Sequence, residues 1–306
     1  MDAIVPSQLS TARPAQAPRA VQRAQPETLI YSDFDDTFAT RQPDQAALQE
    51  SRQALKDPQL VFGLSTAREL EDFKKLAPLL KGFPLAFLGL NNGGQLYRND
   101  KNLPAEEWVA QLKQSDQDSG WAERVHEQIP QWDQGNSIPK VLLAEGFHQV
   151  AGAPPQRGYF ENQAGQRVIT FVGSPGFYPR GVDPETQQLG RQVAQAVARH
   201  YENQKIPLKS MEIPGNDEAL LQQFVPAAIN KTTLLEYCLT GYPSVKNIIT
   251  AGDNLNDTHL LPALQDMMAD KERVVRVGFG QLGQGLARSL AEIQPEAAEA
   301  PGQTLP

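Results

Sequence analysis

The chain is 306 residues long, enough for one large or two modest domains with a substantial buried core. Its 28 basic and 36 acidic residues leave a net charge of −8, which argues against a basic nucleic-acid groove as the main binding surface. One cysteine rules out an intrachain disulfide framework and a zinc ribbon, and no apolar run reaches the ~20 residues of a membrane-spanning helix.

From the N-terminus, residues 1–27 carry Pro6, Pro14, Pro18 and Pro26 among Ala, Gln and Arg, with no sustained apolar period. They read as a disordered leader lacking the apolar segment of a secretory signal. A cytoplasmic location is the expectation, and an effector secreted by way of this leader is the alternative. Short apolar runs follow at residues 28–32, 59–64 and 84–90, and again at 246–251 and 273–277. Continuous apolar runs of about five residues, alternating with helical patterns such as 231–242 and 256–264, predict buried parallel strands covered on both faces. The fold class is therefore α/β, a doubly wound Rossmann-like sheet whose site lies at the carboxyl ends of its strands.

The middle of the chain has a different texture. Amphipathic segments at 104–113 and 121–128 precede a hairpin pattern, 158–161 and 168–172 around a turn with Gly165, and then a long helical pattern at 184–203. This predicts an inserted α+β domain over 96–208, a core formed by 28–95 and 209–293, and a disordered tail at 294–306.

Two acidic loops carry the chemistry. Asp33-Phe34-Asp35-Asp36-Thr37 follows the first strand, and Gly252-Asp253-Asn254-Leu255-Asn256-Asp257 follows the run ending at Ala251. Either loop alone could be a turn with helix-capping aspartates. Converging at the ends of two parallel strands, they make a dense set of oxygen ligands suited to magnesium.

The first loop resembles the opening motif of the haloacid dehalogenase superfamily, aspartate-x-aspartate-x-threonine. The second resembles its fourth motif in the form found in the Cof-type and sucrose-phosphatase-like branch. Between them, Ser65-Thr66-Ala67-Arg68 resembles the threonine-glycine-arginine second motif, with Ala67 in the usual glycine position. Asn230-Lys231-Thr232 matches the third motif's lysine, and Asn92-Gly93-Gly94 is similar to the branch's asparagine-glycine-alanine turn.

The resemblance implies a magnesium-dependent phosphatase acting on a small phosphate monoester, a sugar or polyol phosphate, through an aspartyl-phosphate. Asp33 would be the nucleophile and Asp35 the acid and base. Thr66 and Lys231 would hold the phosphoryl group, with Arg68 and Asn92 near the substrate. Magnesium would be held by Asp33, Asp35 and Asp253, with Asn256 and Asp257. The spacing puts the insertion between the second and third motifs, where the superfamily carries its type-2 caps. A phosphotransferase or mutase of the same superfamily is the competing reading. The expected partner is a small molecule, neither nucleic acid nor membrane, and the oligomeric state is left open. Trp108, Trp121 and Trp132 read as apolar anchors more readily than as sugar-stacking platforms, and Cys238 as a buried structural thiol.

Overall fold

A computed structural model describes residues 25–35, 37–38, 45–133, 136–150, 157–171, 176–181, 183–214, 220–252 and 273–277. Residues 1–24 of the expected 1–27 leader, the acidic loop at 253–257, the helix expected at 256–264 and the tail at 294–306 lie outside these residues. No helix among the described residues is long and apolar enough to cross a membrane.

In chain order the elements begin with β1 (Thr28–Asp33), α1 (Gln45–Ala54), β2 (Leu60–Ser65), α2 (Leu70–Lys74), β3 (Leu85–Leu90) and β4 (Gln95–Arg98). Next come α3 (Ala105–Gln111), α4 (Ser119–Gln128), α5 (Ile138–Ala144), β5 (His148–Gln149), β6 (Arg157–Glu161), β7 (Arg167–Phe171) and β8 (Gly176–Pro179). The chain continues through α6 (Pro184–Asn203), β9 (Leu208–Pro214), β10 (Leu220–Pro226), α7 (Lys231–Thr240), β11 (Asn247–Ala251) and β12 (Arg273–Val277).

The first sheet has the order β12-β11-β1-β2-β3-β4, parallel throughout except for β4, which runs antiparallel to β3. From β1 the chain steps outward through β2 and β3, then returns to β11 on the other side of β1, so the strand order reverses there. That reversal opens a crevice at the carboxyl ends, where ligands bind in such sheets.

The strands read as unbroken apolar runs because both faces are covered. Leu29, Tyr31, Val61 and Ile248 join one core cluster with Leu234 and Leu235 of α7. Ile30, Phe62, Leu64 and Ile249 join the other with Phe34, Phe38 and Phe73. Gly63 leaves room for the ring of Phe87; a Cβ there would lie 2.1 Å from Phe87 Cζ.

The second sheet is antiparallel, in the order β5-β6-β7-β8-β10-β9. The expected hairpin is β6–β7, where Asn162 Oδ1 accepts from the backbone N–H groups of Ala164 and Gln166, and Gly165 sits at φ +78°. Helix α6 starts where Asp183 accepts from Thr186 N–H at 2.9 Å ahead of Pro184. Its Val193, Val197 and Tyr201 bury against Phe160, Val168, Phe177 and Phe224.

The sheets partition the chain differently from the 96–208 span at both ends. Gln95–Arg98 forms an edge strand of the first sheet, and α3 packs Trp108 and Val109 against Phe73 and Leu80 of the core. At the other end β9 and β10 fall largely in the expected core segment, yet β10 pairs with β8 and β9 with β10 in the second sheet. In β10, Gln222 and Gln223 are buried at 2% and 3% exposure and break the apolar pattern that marks a covered strand.

Candidate functional site

The site forms where three pieces of chain meet at the carboxyl end of the first sheet. Asp33 ends β1, is 6% exposed, and accepts from Lys231 Nζ at 2.5 Å. Lys231 is 5% exposed and opens α7, so this ion pair is shielded from water. The helix start is fixed by its own sequence. Asn230 Oδ1 accepts from the N–H groups of Thr232 and Thr233, and Thr233 Oγ1 accepts from Asn230 N–H, a reciprocal cap. Tyr31 Oη donates to Lys231 O at 3.0 Å and ties that helix end to β1.

Asp35 is engaged from the loop after β2. Thr66 Oγ1 donates to its Oδ2 at 2.7 Å, and Arg68 Nε donates to its Oδ1 at 2.8 Å. Arg68 also reaches Asp72 Oδ2 at 2.5 Å. Burial works against the guanidinium's charge, but hydrogen bonds and attraction from Asp35, then Asp72, outweigh it and raise its pKa. Thr66 is wholly buried, and its backbone is stitched on both sides: its N–H donates to Gly89 O, and its carbonyl accepts from Asn92 N–H, each at 3.0 Å.

The Asn91–Gly94 turn links these parts. Asn91 and Asn92 have φ of 52° and 53°, and Gly93 has φ of +94°. A Cβ on Gly93 would lie 2.4 Å from Asn230 O, so the turn rests directly on the cap of α7. From above, Trp121 Nε1 donates to Gly93 O at 2.9 Å. Asp118, the N-cap of α4, joins Arg98 Nε at 2.7 Å and Tyr237 Oη at 3.0 Å. Asn92 is 4% exposed, with neither carboxamide atom hydrogen-bonded among the described residues.

Of the residues named from sequence, the structure therefore brings together Asp33 with Lys231, and Asp35 with Thr66 and Arg68, beside Asn92. Asp253, Asn256 and Asp257 lie outside the described residues. In sequence they follow β11, whose Ala251 pairs with Ser32 of β1. Sequence reasoning did not single out Tyr31, whose period-two spacing from Asp33 was the available signal, or Gly93 as the platform for Asn230. Trp108 and Trp121 are 7% and 0% exposed, so they serve as core anchors; Trp132 packs on Tyr201 with ring centroids 5.3 Å apart.

No family model matches the chain, and no curated protein matches it. Solved structures do. The sucrose-phosphatase of Synechocystis sp. PCC6803, solved with sucrose and phosphate, aligns with a TM-score of 0.53 at 14% identity, over 88% of this chain and 98% of that one. Haloacid dehalogenase-like hydrolases from Bacillus subtilis and Bacteroides thetaiotaomicron align at 0.49 and 0.48, with 12% and 14% identity, over 88% and 87% of this chain and 95% and 99% of theirs. The chain shares the fold of that sucrose-phosphatase.

Proposed function

We propose that the protein hydrolyses a small phosphate monoester through an aspartyl-phosphate on Asp33. The observation that carries this reading is the buried Lys231–Asp33 pair at the end of β1, with Asp35 two residues on and tied to Thr66. An Asp33 carboxylate oxygen bonds to phosphorus as the phosphorus–oxygen bond to the alcohol breaks, and the Asp35 carboxyl gives the leaving oxygen its proton. In the second displacement a water passes a proton to Asp35 and attacks the same phosphorus. The bond to Asp33 then breaks, freeing phosphate and restoring the carboxylate. Lys231 and Thr66 would offset charge on the phosphoryl oxygens, and Arg68 and Asn92 are the proposed contacts to the rest of the ester.

Magnesium suits the donor chemistry, since the Asp33 carboxylate and the Asp35 main-chain carbonyl, with Asp253 and Asn256 or Asp257 from the fourth motif of the sequence, are all hard oxygen donors. When bound, it would be held by these residues and would neutralise charge on the transferring group. A sugar or polyol phosphate is the favoured substrate, supported by the sucrose and phosphate in the Synechocystis sucrose-phosphatase structure.

The test is phosphate release from an aryl phosphate and a panel of sugar, polyol and nucleotide monophosphates, with magnesium or chelator, for wild type and Asp33→Asn. Magnesium-dependent release that the variant lacks supports the reading. Release that survives in Asp33→Asn rules out the covalent route. A second phosphate ester in place of free phosphate, when an alcohol is added, identifies a phosphotransferase.

A further inference from the structure

We infer that Ser65 is a positioning residue for the Asp33 carboxylate, an inference that rests on the function proposed above. Ser65 and Asp33 are direct partners in the β1–β2 ladder, at the last position of each strand. Side chains alternate along a strand, and Leu29, Tyr31 and Val61 all enter the core cluster that holds Leu234 and Leu235. Asp33 and Ser65 continue that alternation and face α7, which carries Lys231. A Cβ built on Gly89 confirms the placement: it would lie 3.3 Å from Ser65 Oγ and 3.2 and 3.3 Å from the two Leu234 methyl carbons. The hydroxyl therefore sits in the wedge under α7, on the face of the Asp33–Lys231 pair.

Ser65 is 0% exposed, and its Oγ has no hydrogen-bond partner among the described residues. A buried hydroxyl without a partner costs free energy that an alanine, which fills the same wedge, does not. Rotation about the Cα–Cβ bond turns Oγ from the β3 side towards β1 and Asp33. That donor becomes useful in turnover. As the transferring phosphoryl group draws the Lys231 ammonium towards its oxygens, the hydroxyl of Ser65 donates to the Asp33 oxygen not bonded to phosphorus. It thereby fixes the carboxylate's plane for attack and for release.

The experiment compares wild type, Ser65→Ala and Ser65→Cys for kcat, KM and melting temperature on an aryl phosphate with magnesium. A hydrogen bond to a charged group supports an expected loss of roughly tenfold or more in kcat for Ser65→Ala, with KM within about twofold and melting temperature equal or higher. Ser65→Cys refills the volume with a weak donor and should be as slow. A kcat within about twofold of wild type in Ser65→Ala overturns the inference. So does recovery in Ser65→Cys, which would mean that only volume matters, or a kcat loss that follows a fall in melting temperature. If wild type releases no phosphate from any ester, the proposed function fails first and Ser65's role fails with it.

Discussion

Arg68 holds Asp35 by two nitrogens, Nε at 2.8 Å and a terminal NH2 nitrogen at 2.7 Å from the same Oδ1, while Thr66 occupies Oδ2. Both carboxylate oxygens of the proposed acid and base are thus engaged by side chains of the second motif. The guanidinium is itself steadied by Asp72, four residues along the chain.

This arrangement separates stability from activity at Arg68. Its side chain and that of Asp35 are 35% and 38% exposed, so water screens the pair and its contribution to folding is at most about 1 kcal/mol. Arg68→Ala should therefore shift the melting temperature little. It should lower kcat/KM by roughly tenfold or more, as expected when a positioned charged group is lost near the transferring phosphoryl. Arg68→Lys should not restore it, since an ammonium cannot present the same fork. A large fall in melting temperature with intact kcat/KM would reverse this assignment.

The Asp33–Lys231 pair should behave in the opposite way. Both partners are almost fully buried, so removing one takes this ion pair away from a buried charge, a loss of roughly 3–5 kcal/mol. Lys231→Met should be strongly destabilised, and adding Asp33→Asn should recover much of the loss, because the double variant removes both charges of this pair. Urea unfolding of the two single variants and the double variant reads the coupling directly. Additive losses would show that the two residues are not coupled.

The parallel strands were legible because burial on both faces leaves a run of apolar letters with little else to explain it; 28–32 and 246–251 differ from β1 and β11 by a residue at their ends. Strand β4 was not, since four residues opening on Gln95 carry too little pattern. Strand β10 was hidden by Gln222 and Gln223, whose burial only the assembled sheet reveals. At the site, motif order located Asp33, Thr66 and Lys231, but not how they are held. Support for Lys231 comes from Tyr31 Oη, the Asn230 cap and the Gly93 turn, contacts between residues up to 200 positions apart. No local window of sequence contains that information.

The contact between Gly93 and Asn230 makes a specific demand on residue 93. Alanine there would have to keep φ near +94° and place its Cβ 2.4 Å from a backbone oxygen. The left-handed conformation alone costs about 1–2 kcal/mol, and relieving the clash must move the α7 cap that presents Lys231. Gly93→Ala is therefore expected to lose several degrees of melting temperature and most of its kcat. Trp121→Phe, which removes the donor to Gly93 O, should cost roughly 1–3 kcal/mol for the orphaned buried carbonyl, with a smaller kcat loss. Wild-type kcat in Gly93→Ala would show that the turn does not set the lysine's position.

Alkaline pH should unfold the protein through groups well away from the reaction. Burial pushes the Cys238 thiol from 9.0 up to about 12; Arg98 opposes the shift and Asp118 adds to it. Burial likewise raises Tyr97 from 10.0 to about 12, with Asp116 and Glu71 adding to it. Both groups are neutral when protonated, so above the lower value the unfolded chain releases protons that the folded chain retains. Their contribution to stability is complete below about pH 9 and is lost as pH rises towards about 12. Within its window each group removes up to about 1.4 kcal/mol per pH unit. Cys238→Ala should accordingly be somewhat less stable than wild type at pH 7, because of the small cavity, and should lose stability less steeply from pH 9 upward. Denaturant midpoints at pH 7, 9, 10 and 11 would measure both slopes, and parallel curves would show that the thiol does not titrate late. The same burial predicts that Ellman's reagent labels Cys238 only as fast as the protein unfolds; immediate labelling of the native protein would contradict it.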